Sequence, residues 1–375
     1  MKVLQVLPAL NGGGVERGTL EMGRALVQAG HESWVVSGGG QLVSRLQRQG
    51  SRHVAWRLGR KSPLSLLQVP RLRRWLQRER FDIVHLRSRM PGWLVWLAVR
   101  GMSAKTRPHL VTTVHGLHSV SRYSAIVTCG ERVIVVSDAV RRYVLENYPQ
   151  CDPQKLRLVH RGIDPAQFPP DYRPPENWLR RWYGQYPQLL EHDVLALPGR
   201  LTRLKNHADF LRIIADLLAQ GFRVKGLIVG DEDPRRKGYA REIQDRVAAM
   251  GLSEHVLFTG QRDDIREIYA ISSVVLSLSS RPESFGRTVL EPLSMRVPVV
   301  AYSHGGVDEI MQSLFHEGAV SPGDVETATA RVAAALQKKL PPPRPNTTFL
   351  LSRMCADTLA VYGELLGEPH RQERH

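Results

Sequence analysis

The feature that most constrains the fold is an alternation between short apolar segments and longer amphipathic ones, which runs through the chain twice. The apolar segments are three to six residues long and show little internal alternation, which is typical of parallel strands covered on both faces. The pattern therefore predicts an α/β chain with two parallel sheets. The predicted strands are Lys2–Leu7, Ser33–Ser37, Ile83–Leu86, Leu110–Thr113, Val133–Val136, Leu156–Val159, Val194–Leu197, Lys225–Val229, Val256–Phe258, Val274–Leu278 and Val297–Ala301.

A proline-rich stretch between the two halves predicts the domain boundary. We expect one domain at 1–170, a linker at 171–191 and a second domain at 192–340, as a length of 375 residues suggests. After a second proline cluster, 349–375 is expected to pack back on the first domain, apart from a loose tail at Glu368–His375. The predicted helices are Glu16–Gln28, Leu64–Arg80, Ala208–Ala219, Tyr239–Met250, Ile265–Ile271, Arg287–Met295 and Phe349–Leu366.

The charge of the chain is concentrated in its first half. The sequence holds 52 Lys and Arg against 36 Asp and Glu, a formal net charge of +16. Residues 1–170 hold 26 basic and 10 acidic side chains, whereas residues 171–375 hold 26 of each. This imbalance predicts an anionic partner for the first half.

The cysteine content and the apolar runs limit where the chain works. Cys129, Cys151 and Cys355 are far apart and odd in number, so they predict no disulfide framework and favour a reducing, cytosolic environment. No apolar run approaches the roughly 20 residues of a membrane span. The N-terminus lacks a signal-peptide pattern and is better interpreted as a first strand.

Loops that follow strands are the candidate binding sites, because ligands of open α/β sheets bind beyond the carboxyl ends of the strands. Gly12-Gly13-Gly14 precedes a helix and allows backbone N–H groups to approach an anion, unless it is only a tight turn. It is neither a dinucleotide fingerprint, which needs glycine at Arg17, nor a Walker A motif. His115, at another strand end, is either a hydrogen-bond donor to a ligand or a structural histidine.

Two loops of the second half carry charged side chains. Arg200 and Lys205 follow its first strand and suit a diphosphate, although a solvated basic loop is the alternative. Glu283 and Glu291 flank a helix start near Ser284–Gly286 that offers N–H groups to phosphate. We expect Glu291 about two turns into this helix, accepting from ribose hydroxyls, and Glu283 accepting from sugar hydroxyls. The alternative is that two acidic residues flank a helix start by chance.

In combination, these motifs resemble glycosyltransferase family 4, whose members are retaining enzymes of the GT-B fold. Each motif is weak alone, but they run in family order over residues 1 to about 311, which is most of the chain. The matching segments are Gly12-Gly13-Gly14-Val15-Glu16, His115-Gly116, Val135-Val136-Ser137, Gly162-Ile163-Asp164, Gly199-Arg200 with Lys205-Asn206, Val229-Gly230-Asp231, Phe258-Thr259-Gly260, the pair Glu283 and Glu291, and Gly305-Gly306.

The resemblance implies a fold and a set of roles. The fold is two doubly wound Rossmann-like domains facing each other across a cleft, with the C-terminal helix crossing back to the first domain. The first domain binds the acceptor and the second binds a nucleotide-diphosphate sugar. The residues implied to act in catalysis are His115, Arg200, Lys205 and Glu283. Those implied to bind the donor are Gly13, Gly14, Gln261, Arg262, Phe285, Gly286, Arg287 and Glu291.

The individual roles also follow from the resemblance. Arg200 and Lys205 hold the diphosphate, and His115 reaches the donor sugar. Gln261 and Arg262 lie beside the base, whereas Gly13 and Gly14 meet the diphosphate when the domains close. The backbone from Phe285 to Arg287 grips sugar and phosphate. Arg287 departs from the family, which usually has an apolar residue there.

The family retains anomeric configuration, which is usually explained by front-face attack without an enzyme nucleophile. The leaving phosphate oxygen then helps to take the acceptor proton, and Arg200, Lys205 and helix N-termini stabilise the departing diphosphate. Asp231-Glu232-Asp233 resembles the D-x-D metal site of the other large glycosyltransferase fold, but Gly-Asp at this strand end is common in family 4. We therefore predict metal-independent transfer with no cofactor.

Two features of the first half suggest the acceptor. Leu64–Arg80 predicts a basic amphipathic helix that either lies on anionic lipid or packs on the sheet. Arg87 and Arg89 offer two guanidiniums for phosphates or carboxylates of a lipid-linked glycan. This stretch is similar to the family members that build bacterial lipopolysaccharide core.

The leading hypothesis is a cytoplasmic glycosyltransferase, peripheral at the inner face of the cytoplasmic membrane, that acts on lipopolysaccharide core or another anionic glycolipid. One alternative is a soluble family-4 enzyme with a small acceptor. A nucleic-acid-binding protein is the non-enzyme alternative, suggested by a pI near 10.2. We expect no nucleic-acid partner, because the sequence contains no nucleic-acid-binding signature and charge alone is not evidence of specificity.

Overall fold

The apolar segments of the sequence form two parallel sheets, one in each half of the chain. The computed structural model describes residues 1–60, 62–232 and 238–367, and the chain divides into two units. The first unit comprises Met1–Gly162 and the chain from Leu351 onward, and the second comprises Ile163–Leu350. Each unit has its own apolar core, built from strands that are buried on both faces.

The first unit contains a seven-stranded sheet of order β3-β2-β1-β4-β5-β6-β7. Its strands are β1 (Lys2–Val6), β2 (Glu32–Ser37), β3 (Arg52–Ala55), β4 (Ile83–Leu86), β5 (His109–Val114), β6 (Arg132–Val135) and β7 (Leu156–Leu158). Its helices are α1 (Gly14–Gln28), α2 (Val43–Arg48), α3 (Val69–Glu79), α4 (Arg89–Arg100), α5 (Asp138–Asn147) and α13 (Leu351–Leu366).

The second unit contains a six-stranded sheet of order β10-β9-β8-β11-β12-β13. Its strands are β8 (Asp193–Pro198), β9 (Val224–Val229), β10 (Val256–Phe258), β11 (Val274–Ser277), β12 (Val299–Tyr302) and β13 (Ala319–Val320). Its helices are α6 (Glu176–Gln185), α7 (His207–Ala219), α8 (Tyr239–Ala249), α9 (Ile265–Ala270), α10 (Arg287–Ser294), α11 (Gly306–Leu314) and α12 (Val325–Leu336).

In both sheets the direction in which successive strands are added reverses once, and this switch point indicates where ligands bind. The reversal lies between β1 and β4 in the first sheet and between β8 and β11 in the second. Crevices at such switch points, beyond the carboxyl ends of the strands, are the usual binding sites of doubly wound folds. The loops after β1, β4, β8 and β11 are therefore the candidate binding sites.

The predicted α/β architecture is confirmed, and every predicted strand is present within one or two residues. Two further strands, β3 and β13, were not predicted. β3 is an edge strand whose residues are exposed or half-buried, and it contains Arg52 and His53. β13 has two residues. Neither strand carries the continuous apolar run that marks the buried strands.

The predicted linker is corrected by the structure. Residues 171–191 lie inside the second unit, which begins at Ile163. Helix α6 occupies much of this stretch, and its Trp178 and Trp182 are 8% and 2% exposed against the core under β8 and β9. Prolines lie only at the ends of the helix, where they are compatible with helical structure.

The predicted basic helix Leu64–Arg80, expected either to lie on lipid or to pack on the sheet, is divided into two elements. Residues Pro63–Gln68 form a 3-10 helix, and α3 begins at Val69 with Pro70 in its first turn. The apolar side of α3 is not free to meet lipid, because Leu72 and Leu76 are each 1% exposed in the core of the first sheet. Packing on the sheet therefore accounts for α3. Among the described residues, no helix has the length and apolar composition needed to cross a membrane.

The last helix, α13, belongs to the first unit, as the resemblance implied. Tyr362 is fully buried, and its hydroxyl lies 2.7 Å from Nδ1 of His85. Near the end of the helix, Glu364 accepts hydrogen bonds from the guanidiniums of Arg132 and Arg157 at 2.7–3.0 Å. The tail predicted to be loose, Glu368–His375, lies outside the described residues.

We expect Glu364→Gln to destabilise the first unit by about 2 kcal/mol at pH 7. Hydrogen bonds from Arg157 and Arg132 lower the pKa of Glu364 from its usual 4.5 to about 2. The stabilisation is therefore present above pH 4.5 and is lost as the pH falls toward 2. Urea unfolding of both proteins from pH 7 to pH 2 measures this difference. The exposed Glu146→Gln is the control, and a pH-independent difference would argue against the ion pair.

Candidate active site

The loops after β8 and β11, at the switch point of the second sheet, are tied to each other. The backbone N–H of Ser280 donates to the carbonyl of Leu204 at 2.8 Å. Nζ of Lys205 donates to Oε1 of Glu283 at 2.7 Å, and the two side chains are only 16% and 20% exposed. Two predicted site residues from distant parts of the sequence therefore form one ion pair.

Glu283 is held as a carboxylate. Burial alone would raise the pKa of Glu283, but the charge and hydrogen bond of Lys205 and the Ser279 hydroxyl outweigh it, so the pKa lies below its usual value. Ser279 donates to the carboxylate, and the carbonyl of Ser279 lies 2.8 Å from Nε2 of His304. The loop thus presents an ionised acceptor at neutral pH, which suits hydrogen bonds from sugar hydroxyls.

Gly305 and Gly306 are needed because the chain passes directly against the Glu283 loop. A Cβ at Gly305, where φ is +63°, would lie 2.5 Å from the carbonyl oxygen of Glu283. A Cβ at Gly306 would lie 2.5 Å from the carbonyl oxygen of Ser284. The N–H of Gly306 donates to the Glu283 carbonyl at 2.8 Å. The predicted motif therefore acts by fixing the loop that carries Glu283.

Helix α10 follows this loop and begins at Arg287. Gly286 caps it with φ at +118°, and Phe285 is buried in the core, so these two residues can offer only backbone to a ligand. Glu291 is 4% exposed and lies one turn into the helix rather than the predicted two, because Ser284–Gly286 precede the helix, which begins at Arg287 as in the predicted range. Its carboxylate accepts from the Tyr269 hydroxyl and from Nε of Arg287, both at 3.1 Å.

The other predicted donor residues of the second unit differ in what they can offer. Arg200 follows β8 and is exposed, with no ion pair to a carboxylate among the described residues. The backbone N–H of Gln261 donates to Oδ1 of Asp231 at 3.1 Å. Arg262 forms two hydrogen bonds to Asp264, at 2.8 and 2.6 Å, so its guanidinium is already paired, and its place beside the base stays a prediction.

The acidic run at residues 231–233 has structural partners. Asp231 accepts from Gln261, and Glu232 accepts from the N–H of Gly238 at 2.9 Å. The third residue, Asp233, lies outside the described residues. The two described carboxylates therefore form hydrogen bonds to the backbone of neighbouring loops.

The glycines after β1 lie at the switch point of the first sheet. Gly13 caps α1, which begins at Gly14. No atom lies within 4 Å of a Cβ placed on Gly12 or Gly14, and neither residue has a left-handed backbone conformation. Local packing does not explain glycine at these positions, and the close approach of a ligand to the start of α1 stays a prediction.

His115 follows β5 and is paired with Arg161, which the sequence analysis did not single out. Nη2 of Arg161 lies 2.5 Å from Nδ1 of His115. A guanidinium only donates, so Nδ1 accepts and the ring proton is on Nε2. Burial first, then the charges of Arg161 and Arg87, hold the pKa of His115 well below its usual value. His115 is therefore a neutral hydrogen-bond donor at physiological pH.

Gly18 of α1 makes room for Arg161, because a Cβ at this position would collide with the guanidinium. Sequence alone gave one signal for Arg161, since it directly precedes the motif Gly162-Ile163-Asp164. Its contact with His115 depends on how β5 and the segment after β7 are placed in space. Tyr269 was missed for the same reason, whereas Ser279 lies only four residues before Glu283 and belongs to none of the motifs recognised in the sequence.

The predicted acceptor pair, Arg87 and Arg89, is corrected. Arg87 is 5% exposed and donates to the side-chain oxygen of Gln5, so it is not available at the surface. Arg89 donates to the Ser124 hydroxyl at 2.9 Å, and its guanidinium lies 5.3 Å from the ring of Tyr123. The two side chains therefore occupy different environments, because Arg87 directly follows the buried strand β4 and Arg89 begins α4. Arg89 alone stays a candidate for the acceptor.

We expect Arg161→Met to move the acid limb of the kcat profile to higher pH. The variant removes a positive charge that lowers the pKa of His115, so that His115 protonates at a pH nearer its usual value. It also frees Nδ1, and we expect kcat at pH 7.5 to fall about tenfold. Arg161→Gln keeps a donor for Nδ1 without the charge and separates the two effects. An unchanged pH profile in Arg161→Met would contradict the pairing.

Comparisons with known proteins agree with this arrangement. The model of Glycosyltransferase Family 4 matches residues 12–167, and that of Glycosyl transferases group 1 matches residues 186–347. A glycosyltransferase structure from Rickettsia africae is 28% identical, covers 98% of this chain and 99% of its own, and gives a TM-score of 0.81.

Two curated relatives have more specific names. The chain is 26% identical to N-acetyl-alpha-D-glucosaminyl L-malate synthase of Bacillus anthracis over 81% of this chain and 79% of that protein. It is 29% identical to the lipopolysaccharide core biosynthesis mannosyltransferase LpcC of Rhizobium leguminosarum over 45% and 50%. Together with the two Rossmann-like units and the Glu283–Glu291 motif, these matches establish that the chain belongs to glycosyltransferase family 4 and is a glycosyltransferase of the GT-B fold.

Proposed function

We propose that the enzyme transfers a sugar from a nucleotide-diphosphate sugar to an anionic glycolipid of the lipopolysaccharide-core type, with retention of anomeric configuration. The observation that carries this proposal is the confinement of the whole +16 charge to residues 1–170, the half expected to bind the acceptor. A strongly basic acceptor domain favours an acceptor, and a surface around it, that carry several negative charges.

The donor binds to the second unit. Exposed Arg200, the ammonium of Lys205 and the N-terminus of α10 supply positive charge for the diphosphate. Glu291, buried and one turn into α10, accepts from the ribose hydroxyls, and ionised Glu283 accepts from hydroxyls of the sugar. Arg287 then exchanges its contact with Glu291 for a phosphate oxygen. Catalysis rests on stabilising the diphosphate as it leaves.

His115 contributes a neutral donor. Because Arg161 keeps the proton on Nε2, that atom can donate to an oxygen of the donor sugar near the reacting carbon. A neutral imidazole adds no positive charge beside the reacting carbon, where positive charge develops in an oxocarbenium-like transition state. Gly13 and Gly14 approach the diphosphate through backbone N–H groups. No enzyme nucleophile takes part, and the leaving phosphate oxygen helps to accept the proton of the acceptor hydroxyl.

A small acceptor is the second candidate, because one relative is named for L-malate, a dicarboxylate. Such an acceptor also suits a basic domain, but it uses few of the arginines of the first unit. The glycolipid therefore accounts for more of the charge. On this proposal the enzyme works in the cytoplasm at the inner face of the cytoplasmic membrane.

Transfer of a labelled sugar tests the proposal. We expect label to enter a core glycolipid with retained configuration, in the presence of EDTA, because Arg200 and Lys205 neutralise the diphosphate in place of a metal. The product is followed by chromatography, and its anomeric configuration by NMR. Label that enters only L-malate or another small acceptor would favour the second candidate. Activity that EDTA abolishes and Mn²⁺ restores would refute metal independence.

A further inference from the structure

The first unit exposes three large apolar side chains within one short 3-10 helix. Leu64, Leu66 and Leu67, here called the leucine cluster, are 72%, 52% and 75% exposed. Isolated exposed leucines are common, but three within four residues form a patch that water solvates poorly. The neighbouring α3 buries its own leucines, so the patch belongs to the 3-10 helix at Pro63–Gln68 alone.

An apolar groove of about 570 Å³ adjoins the leucine cluster. This volume lies within the roughly 300–1,000 Å³ typical of small-ligand sites. The lining has rings and aliphatic chains but no converging set of polar groups, which suits a hydrocarbon chain better than a sugar or nucleotide. The lining side chains used below are Pro63, Leu66, Met90, Trp93, Leu97 and Tyr123.

Positive charge surrounds both the groove and the leucine cluster. Arg122 is one of the residues that line the groove, and the guanidinium of Arg89 lies 5.3 Å from the ring of Tyr123. A second groove, of about 830 Å³, begins at the far end of the same 3-10 helix. Neither lining includes a carboxylate among the described residues, and the second one contains Arg57, Arg60, Arg71, Arg74 and Arg78.

We propose that the apolar groove holds one hydrocarbon chain of an anionic membrane lipid, while the leucine cluster enters the bilayer surface and the flanking arginines bind headgroups. The inference rests on the anionic-glycolipid acceptor proposed above, since it places a lipid beside Arg89, the candidate acceptor residue. Apolar side chains within a ring of cations match the boundary between acyl chains and anionic headgroups.

The charge also argues for a bilayer over a second copy of this chain. Pairing two leucine clusters would bring the same arginines face to face, and like charges at a contact oppose association. An anionic lipid surface reverses the sign of that interaction. Each arginine near such a surface strengthens binding by roughly fivefold.

Vesicle flotation of the full chain tests the leucine cluster. We expect binding to phosphatidylglycerol vesicles, little binding to phosphatidylcholine vesicles, and release by about 0.5 M NaCl. The variant Leu64→Asn with Leu67→Asn changes two exposed side chains and is expected to bind about a hundredfold more weakly. Leu190→Asn, at a 50% exposed leucine of the second unit, is the matched control and should bind like wild type.

Quenching of tryptophan fluorescence tests the groove itself. Phosphatidylglycerol brominated along its acyl chain quenches an indole that the chain touches. We expect part of the emission to be quenched in wild type and not in Trp93→Phe, which keeps a ring in the lining. Equal quenching in both proteins, with vesicle binding intact, would show that no chain enters the groove.

Three other outcomes would overturn the inference. They are no binding to phosphatidylglycerol, equal binding to neutral vesicles, and a dimer in sedimentation that Leu64→Asn with Leu67→Asn dissociates. The vesicles contain no glycolipid, so this test is separate from the proposed function. If sugar is not transferred to the glycolipid but Trp93 is still quenched, the proposed acceptor is refuted and the groove is not. If sugar is transferred but Trp93 is not quenched, only the proposal that the groove holds an acyl chain is refuted.

Discussion

Replacing Lys205 by methionine is expected to lower kcat about 100- to 1,000-fold, because one preorganised cation is lost from the departing diphosphate. The same change leaves Glu283 without its ammonium partner at 2.7 Å. Burial, which raises the pKa of Glu283, is then opposed only by the weaker contacts, so the pKa rises. In wild type the stabilisation from this carboxylate is present above its usual pKa of 4.5 and is lost as the pH falls below it.

Steady-state kinetics and urea unfolding together measure both effects of Lys205→Met. Lys205→Arg keeps the charge and should recover much of kcat. Arg203→Met is the matched control, because Arg203 lies in the same 3-10 helix but pairs with the exposed Glu242. A loss of kcat in the control equal to that in Lys205→Met would mean that the loop, and not the cation, matters.

Replacing Glu291 by glutamine is expected to weaken donor binding about 10- to 100-fold, the usual effect of losing a charged hydrogen-bond acceptor. The ribose hydroxyls are bound equally in the ground state and the transition state, so KM should rise with little change in kcat. Glutamine keeps the shape of the side chain and one oxygen for the Tyr269 hydroxyl, so the fold should persist.

Calorimetric titration with the donor nucleotide measures the loss in Glu291→Gln. Glu242→Gln changes an exposed glutamate of the same unit and should bind like wild type. The pair of results is informative because Lys205→Met should act on kcat and Glu291→Gln on KM. A fall of kcat with unchanged KM in Glu291→Gln would place this carboxylate at the reacting centre, contrary to the proposed role.

Sequence patterns predicted the sheets well because both faces of most strands are buried. A strand such as Val274–Ser277, with every residue buried, is apolar in all but its last residue, and that pattern is visible without a structure. The edge strand β3 was not predicted, because its residues are exposed or half-buried and need not be apolar. Helix α6 was not predicted, because Pro174, Pro175 and Pro187 were interpreted as a linker. The four-residue spacing between Trp178 and Trp182, which is typical of a helix, was therefore not used.

The candidate site was predictable where a motif is continuous in sequence and not where contacts join distant segments. Glu283 and Glu291 follow from spacing along one strand–loop–helix unit, and Gly305 and Gly306 follow the next strand. The contacts of Arg161 with His115, and of Tyr269 with Glu291, span 46 and 22 residues and depend on the packed strands and helices. For Arg87 the residue type was noted but its burial was not, because a charged side chain at a strand end usually faces water.

A thermal-shift panel of UDP, GDP, ADP, NAD and single-stranded DNA tests most directly whether the second unit binds a nucleotide-diphosphate sugar. A ligand at 100 times its dissociation constant stabilises by about 2.7 kcal/mol, or roughly 5–10 °C for domains of this size. We predict that one of the three nucleoside diphosphates shifts wild type by this amount and shifts Glu291→Gln much less. A shift with DNA or NAD alone, or an equal shift in both proteins, would contradict the proposed donor site.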